Sequence, residues 1–278
     1  MFRWRHSIIA FGFAPVACFA QHSVPDTLHA IRLAPEEHVI FDGSPDEAFW
    51  QRAVPIRNFT QHDPHVDQPA TDSTVVRVVY DDQALYFAAV LGVQDMAHIQ
   101  AKYMERDFAW YKDDNFQLIL SPFNDKRTGY IFVTNMNGAR TDMLIANSDR
   151  NIDWNGVWDV QAQCTPFGWT CEIRIPFSTL QFRKGEEQIW AINFERNVRI
   201  RNEQINWQGW GRNTSIENLA TAGTLSGLKN IGYSKRFELK PYGLGGVQDR
   251  PAPSNSVGKI DSDLVNLIIP HSICGNLF

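Results

Sequence analysis

The chain has 278 residues, of which 44% are hydrophobic and nine are tryptophan, enough apolar surface for a sizeable core and too much for a disordered polypeptide. Its formal charge of -5 offers no general attraction to a phosphate backbone, so nucleic acid is set aside as a partner.

The N-terminus reads Met1-Phe2-Arg3-Trp4-Arg5-His6, runs almost uncharged from Ser7 to Ala17, and reaches Cys18-Phe19-Ala20. A basic start, a short apolar run broken by Pro15 and a small residue at the end describe a signal peptide over residues 1–20. The run is too short to span a bilayer comfortably, and export is expected. A lipoprotein signal at Cys18 and an uncleaved anchor are the weaker readings. In an oxidising compartment Cys164 and Cys171, which flank the Thr165 to Thr170 turn, would face each other and permit a bridge; two free thiols are the alternative.

A domain starts after Ile31 with Val39-Ile40-Phe41-Asp42-Gly43, followed by a short helical piece in which Asp46 is the expected N-cap and Phe49 and Trp50 pack inward. A polar loop follows from Gln61 to Asp72. Its His62-Asp63-Pro64-His65-Val66-Asp67 run holds metal-type donors without the helical spacing of a metalloprotease motif, which favours a solvated loop. Runs of β-branched and aromatic residues then predict a hairpin from Thr74 to Tyr80 and Leu85 to Leu91, turning at Asp81-Asp82-Gln83. Further strands are expected at Phe116 to Ser121, Tyr130 to Asn135, Val157 to Cys164, Trp169 to Ile175 and Ile189 to Ile200. The Asn137-Gly138 pair marks a tight turn before a segment that resumes at Thr141.

Two of these strands carry the pattern most clearly. Trp169, Cys171, Ile173 and Ile175 alternate with Thr170, Glu172 and Arg174, which predicts one buried face and one wet face. Along Ile189 to Ile200, Ile192, Phe194, Val198 and Ile200 share a face with Arg196, opposite Asn193, Glu195, Asn197 and Arg199. A guanidinium on the apolar face requires a carboxylate partner inside, or else lines a ligand cleft. The fold class is therefore all-β, an antiparallel, jelly-roll-like β-sandwich with little helix over residues 31–231. Residues 232–278 read as the truncated start of a C-terminal domain followed by an irregular tail.

Taken in order, Phe41-Asp42-Gly43 with Asp46-Glu47 and Trp50, Val76 to Asp82 with Leu85-Tyr86-Phe87, Asp113 to Phe116, Gly168 to Ile173 with Ile175-Pro176-Phe177, and Trp190 to Phe194 resemble the family-nine carbohydrate-binding module. Asp125 to Tyr130 and Asp153 to Trp158 are similar to a bacterial branch in which the module precedes an outer-membrane-type barrel; Phe237 to Tyr242 matches the junction, and the barrel itself is absent. The resemblance implies an exported carbohydrate-binding module at the periplasm or outer membrane, acting in carbohydrate catabolism beside O-glycosyl hydrolases. The alternative is a noncatalytic interaction domain that packs on its barrel or on an envelope protein.

The family's sugar site is an aromatic clamp, and an indole suits the apolar C–H face of a pyranose because it offers flat area at low entropic cost. By resemblance, Trp110 ahead of Asp113-Asp114 is the first clamp residue, and Gln117 stands where a carboxylate is expected. Ile216 falls where the second aromatic belongs, with Trp210 as a substitute and Arg196 as a further ligand candidate. Structural calcium is implied too, with Asp42, Asp46 and Asp81 as ligand candidates. A glycosidase needs two carboxyls placed across the scissile bond. Glu172, Glu195 and Glu203 are instead expected to pair with nearby arginines, and no GxSxG elbow, phosphate loop or dinucleotide fingerprint is present.

Overall fold

A computed structural model describes residues 27–147, 149–208 and 215–232 of the protein. The signal segment, Cys18, Trp210, Cys274 and the Phe237 to Tyr242 junction lie outside the described residues. The described residues all belong to the unit Met1–Lys235.

Fourteen strands and short 3-10 turns make up the described residues, among which there is no α-helix. In chain order the strands are β1 (Thr27–His29), β2 (Ile31–Arg32), β3 (Thr60–Asp63), β4 (Thr74–Tyr80), β5 (Ala84–Gly92), β6 (Asn115–Ser121) and β7 (Thr128–Asn135). They continue as β8 (Arg140–Ala146), β9 (Asp149–Asn151), β10 (Asp159–Thr165), β11 (Gly168–Pro176), β12 (Glu187–Val198), β13 (Glu203–Asn206) and β14 (Gly223–Lys229). One sheet runs β1-β14-β12-β6-β7-β8-β9, with β13 and β3 branching from β12; the other runs β10-β11-β5-β4-β2. Every pairing is antiparallel except β1 with β14 and β2 with β4. The all-β sandwich expected from alternation is the observed architecture.

The core lies between the sheets. Phe116, Leu118 and Leu120 of β6 and Trp190, Ile192 and Phe194 of β12 meet Val76 and Val78 of β4, Phe87 and Leu91 of β5, and Trp169, Cys171, Ile173 and Ile175 of β11. Rings interlock there: Phe194 stacks on Phe116 at 5.9 Å and meets Phe87 edge-on at 6.0 Å. Tyr80 ties the layers with a polar tip, donating to the Gly227 carbonyl at 2.9 Å and accepting from the Lys229 N–H at 3.0 Å.

Arg196 is the other tie. It is 2% exposed, and it donates to the Ser73 carbonyl (3.0 Å), the Thr74 hydroxyl (3.2 Å) and the Gly92 carbonyl (2.6 Å) across the sandwich. The expected carboxylate is Asp72, 4.0 Å away and itself buried. Burial pushes the guanidinium down to about 10, against the pull of Asp72 and Asp114.

Several local expectations are corrected. The 3-10 turn Ala48–Arg52 is capped at Glu47 rather than Asp46, without a side-chain capping bond. The hairpin β10–β11 turns on Pro166 and Phe167, because Thr165 pairs with Gly168. Cys164 therefore stands opposite Trp169 and Cys171 opposite Ala162, and both cysteines are free. The supposed wet face of β11 is covered: Glu172 is 1% exposed under a strap whose Asp42 and Gly43 N–H groups donate to its Oε2 at 3.1 and 2.9 Å. Gly43 sits at φ +91°, and a Cβ there would meet the Ala162 backbone at 2.9 Å, so only glycine lets the strap lie this close. Farther along the same face, Phe49, Trp50 and Ala53 seal Val79, Ala84 and Ala88.

Candidate functional site

The outer face of the larger sheet carries a second apolar cluster of Phe108, Ile119, Ile131, Val133, Met143, Ile145, Ile216 and Leu219. Trp110 packs against it, half-buried, from the 3-10 turn Trp110–Lys112. That turn is pinned by polar residues with short reach. The buried Asp113 carboxylate accepts from the Lys102 and Tyr103 N–H groups at 3.0 and 3.1 Å and from the Asn135 amide at 2.8 Å. Asn115 donates to the Trp110 carbonyl at 2.8 Å, and Thr141 to the Phe108 carbonyl at 3.2 Å. A charged acceptor holding three donors fixes a loop that has no regular hydrogen-bond ladder of its own.

Around the indole, Tyr111 stands edge-on at 5.9 Å and is 57% exposed. Arg150 of β9 places its guanidinium over the Trp110 ring, 5.8 Å from the centroid, and is ion-paired with Glu217. The Lys112 ammonium lies over the Tyr111 ring at 5.8 Å. Trp110 and Ile216, the two positions expected to form the clamp, thus share one cluster, with an aliphatic side chain at the second position.

Gln117 lies on this same face of β6 but beneath the surface. Its amide donates to Asn115 and Glu195, each at 3.0 Å, and Asn197 donates to Glu195 at 2.7 Å and to Asn115 at 3.2 Å. The strand register sets this grid, since Glu195 pairs with Gln117 and Asn197 with Asn115. Burial raises the Glu195 carboxyl above its ordinary value, opposed by hydrogen bonds from Asn197 and Gln204 and by the charges of His62 and Arg199. Asn115 then joins the grid to the Trp110 turn through the Trp110 backbone carbonyl. Ser121 Oγ and Asn193 Nδ2, on the same strand faces, are buried without a partner.

Arg196 points through the opposite face of β12 into the sandwich, and the structure does not bring it to Trp110. Trp210 lies outside the described residues. Asp42 Oδ1 accepts from the Ser44 N–H, Asp46 is exposed, and Asp81 spends its carboxylate on the Gln83 and Ala84 N–H groups and the Tyr86 hydroxyl. These three do not converge, and among the described residues no group of three His, Cys, Asp or Glu side chains could hold a metal ion. The donors present among the described residues do not form a calcium cage.

Of the three glutamates, Glu203 pairs with Arg201 at 2.9 Å as expected. Glu172 and Glu195 do not: the first accepts backbone N–H groups and the second side-chain amides. A cleft of about 480 Å³ lined by Phe41, Arg106, Arg140 and Asp159 lies at the rims of both sheets and includes neither Trp110 nor Gln117. Asn197 is legible as a polar residue within strand alternation, Asn115 falls one residue before the expected strand, and nothing local marks Arg150, which the short edge strand β9 delivers.

A two-sheet sandwich thus carries a half-buried indole on one outer face, on a turn held by Asn115. Residues 40–226 match the model of the family described as carbohydrate family 9 binding domain-like, and the chain belongs to that family. Its fold is similar to a family 9 carbohydrate-binding module from Caldicellulosiruptor kristjanssonii, solved with glucose and with cellotriose. In both cases the identity is 16% and the TM-score 0.52, over 77% of this chain and 100% of that one. It is also similar, with a TM-score of 0.57 and 16% identity over 72% of this chain and 98% of the other, to a Bacteroides uniformis protein whose carbohydrate binding is itself a provisional assignment. A comparison with curated proteins finds no match.

Proposed function

We propose that this protein is an exported carbohydrate-binding module that takes a saccharide end on the outer face of its larger sheet, with Trp110 as the stacking platform. The observation that carries this reading is the placement of Trp110: half-buried, on a turn pinned by Asp113 and Asn115, and sharing a cluster with Ile216. A pinned aromatic loses little freedom on binding, which is how a small contact yields useful affinity. Family membership and the glucose and cellotriose complexes of the Caldicellulosiruptor relative support the ligand class. We further propose that the module is the periplasmic portion of an outer-membrane protein, a reading that rests on the family resemblance and the signal-like N-terminus.

Binding, not bond cleavage, is the proposed activity. Glu195 is sealed in an amide grid, Glu203 is held by Arg201, and Glu172 belongs to the other sheet. Titration calorimetry with glucose and cellotriose tests the site. Trp110→Ala is expected to weaken binding by about 1–3 kcal/mol, the usual cost of an aromatic hot spot. Isotherms that do not change would remove Trp110 from the site.

A further inference from the structure

We propose that Arg150 is a specificity-determining residue that makes the Trp110 face select saccharides bearing a carboxylate over neutral ones; the inference rests on the reading of Trp110 as the sugar platform. Its guanidinium lies 5.8 Å from the centroid of the indole, the surface on which a pyranose would stack. A cation at that distance leaves no room for a sugar ring between the two groups. A neutral sugar must therefore displace the cation, losing both the cation–indole contact and the ion pair with Glu217.

A uronic acid meets a different balance. Its carboxylate can take the place of Glu217 on the guanidinium, so it draws Arg150 off the ring while the cation stays paired. The freed indole then receives the C–H face of the sugar. The charges on this patch favour such a ligand. Lys112 lies beside it over Tyr111, Asp113 and Asp114 are buried and bonded to backbone N–H groups, and Asp149 alternates to the other side of β9. Glu217 is the carboxylate that must yield, and its partner Arg150 is an edge-strand residue with 40% of its side chain exposed.

Glucose and glucuronate differ only at C6 and make the cleanest test by calorimetry on the full chain. The unaltered protein is expected to bind glucuronate about tenfold more tightly than glucose, the scale of one partly exposed charge contact. Arg150→Ala should erase that ratio by binding glucose more tightly and glucuronate less tightly, and Arg150→Lys should fall between. Added salt should narrow the gap in the unaltered protein only. An unchanged ratio in Arg150→Ala, or a preference for glucose in the unaltered chain, overturns the inference. Trp110→Ala separates the two levels: lost binding of both sugars with an unchanged Arg150→Ala ratio defeats the charge selection alone, while two unaffected isotherms defeat the platform itself. Urea unfolding of each variant identifies any loss that is merely misfolding.

Discussion

The two outer faces of the sandwich begin from the same signature, a strand that alternates apolar with polar residues, and end differently. On the smaller sheet the strap through Asp42 and Gly43 and the turn carrying Trp50 close over β11, β5 and β4, and Glu172 disappears beneath them. On the larger sheet the described residues leave the Trp110 indole half-buried, with the Arg150 guanidinium over its ring and Tyr111 edge-on beside it. Polar residues are buried on both faces, so polarity alone does not separate a sealed surface from one that leaves an aromatic ring half-buried. The difference lies in what is laid over each sheet: the Gly43 strap reaches β11 from 129 positions earlier in the chain, whereas the Trp110 turn directly precedes β6.

The largest expected effect comes from opening the sealed face. Trp50→Ala should cost about 3–5 kcal/mol of stability by urea unfolding, the usual range for a buried Trp truncation, while saccharide isotherms measured below the transition stay unchanged. If binding fell with stability, the two faces would not be independent. Next comes the interface on which both depend: Arg196→Met should lose about 2–4 kcal/mol, because the Ser73 and Gly92 carbonyls and the Thr74 hydroxyl each lose a charge-assisted bond across the core, and Asp72 loses one of its two guanidinium partners while keeping Arg201.

A smaller effect distinguishes the faces by pH. Burial under the strap pushes the Glu172 carboxyl up to about 7 from an ordinary 4.5, reinforced by the nearby charges of Glu47 and Asp42. The folded chain thus retains a proton that the unfolded chain releases. The stability this group contributes is complete below about pH 4.5 and is lost as pH rises to about 7, at most on the order of 3 kcal/mol. Glu172→Gln, which keeps an acceptor for Gly43, should flatten that part of the unfolding profile. Glu195 on the open sheet is raised as well, so Glu195→Gln should remove a slope of the same sign. A profile that rises with pH between those values and is unaltered in both variants would refute the assignment. Smallest of all, Cys164→Ser at the exposed hairpin end should stay within about 0.5 kcal/mol of the parent under both reducing and oxidising conditions, since no bridge is there to lose.

Strand positions were largely legible. The Thr74 to Tyr80 strand falls where β-branched alternation places it, and β11 and β12 differ from expectation by only a few residues at their ends. The two- to four-residue strands β2, β3, β9 and β13 were not, because so short a run has no period to read. Arg196 was recognised as a residue in need of an internal partner, and Asp72 supplies one. Its ligand candidacy came from the same oddity, and only the tertiary contacts show that the oddity is met across the core. Trp110 and Ile216 came from resemblance, and the structure gathers them on one cluster; Arg150 had no sequence cue.

By itself the sequence determined the fold class and the inward faces of β11 and β12, because strand alternation and hydrophobic burial act over neighbouring residues, and its ordered motifs carried the family resemblance. Tertiary structure decided which outward faces are covered, where the cysteines and buried glutamates find or fail to find partners, and what stands over the indole at residue 110. Those outcomes depend on contacts between segments tens to more than a hundred residues apart, which no local pattern encodes.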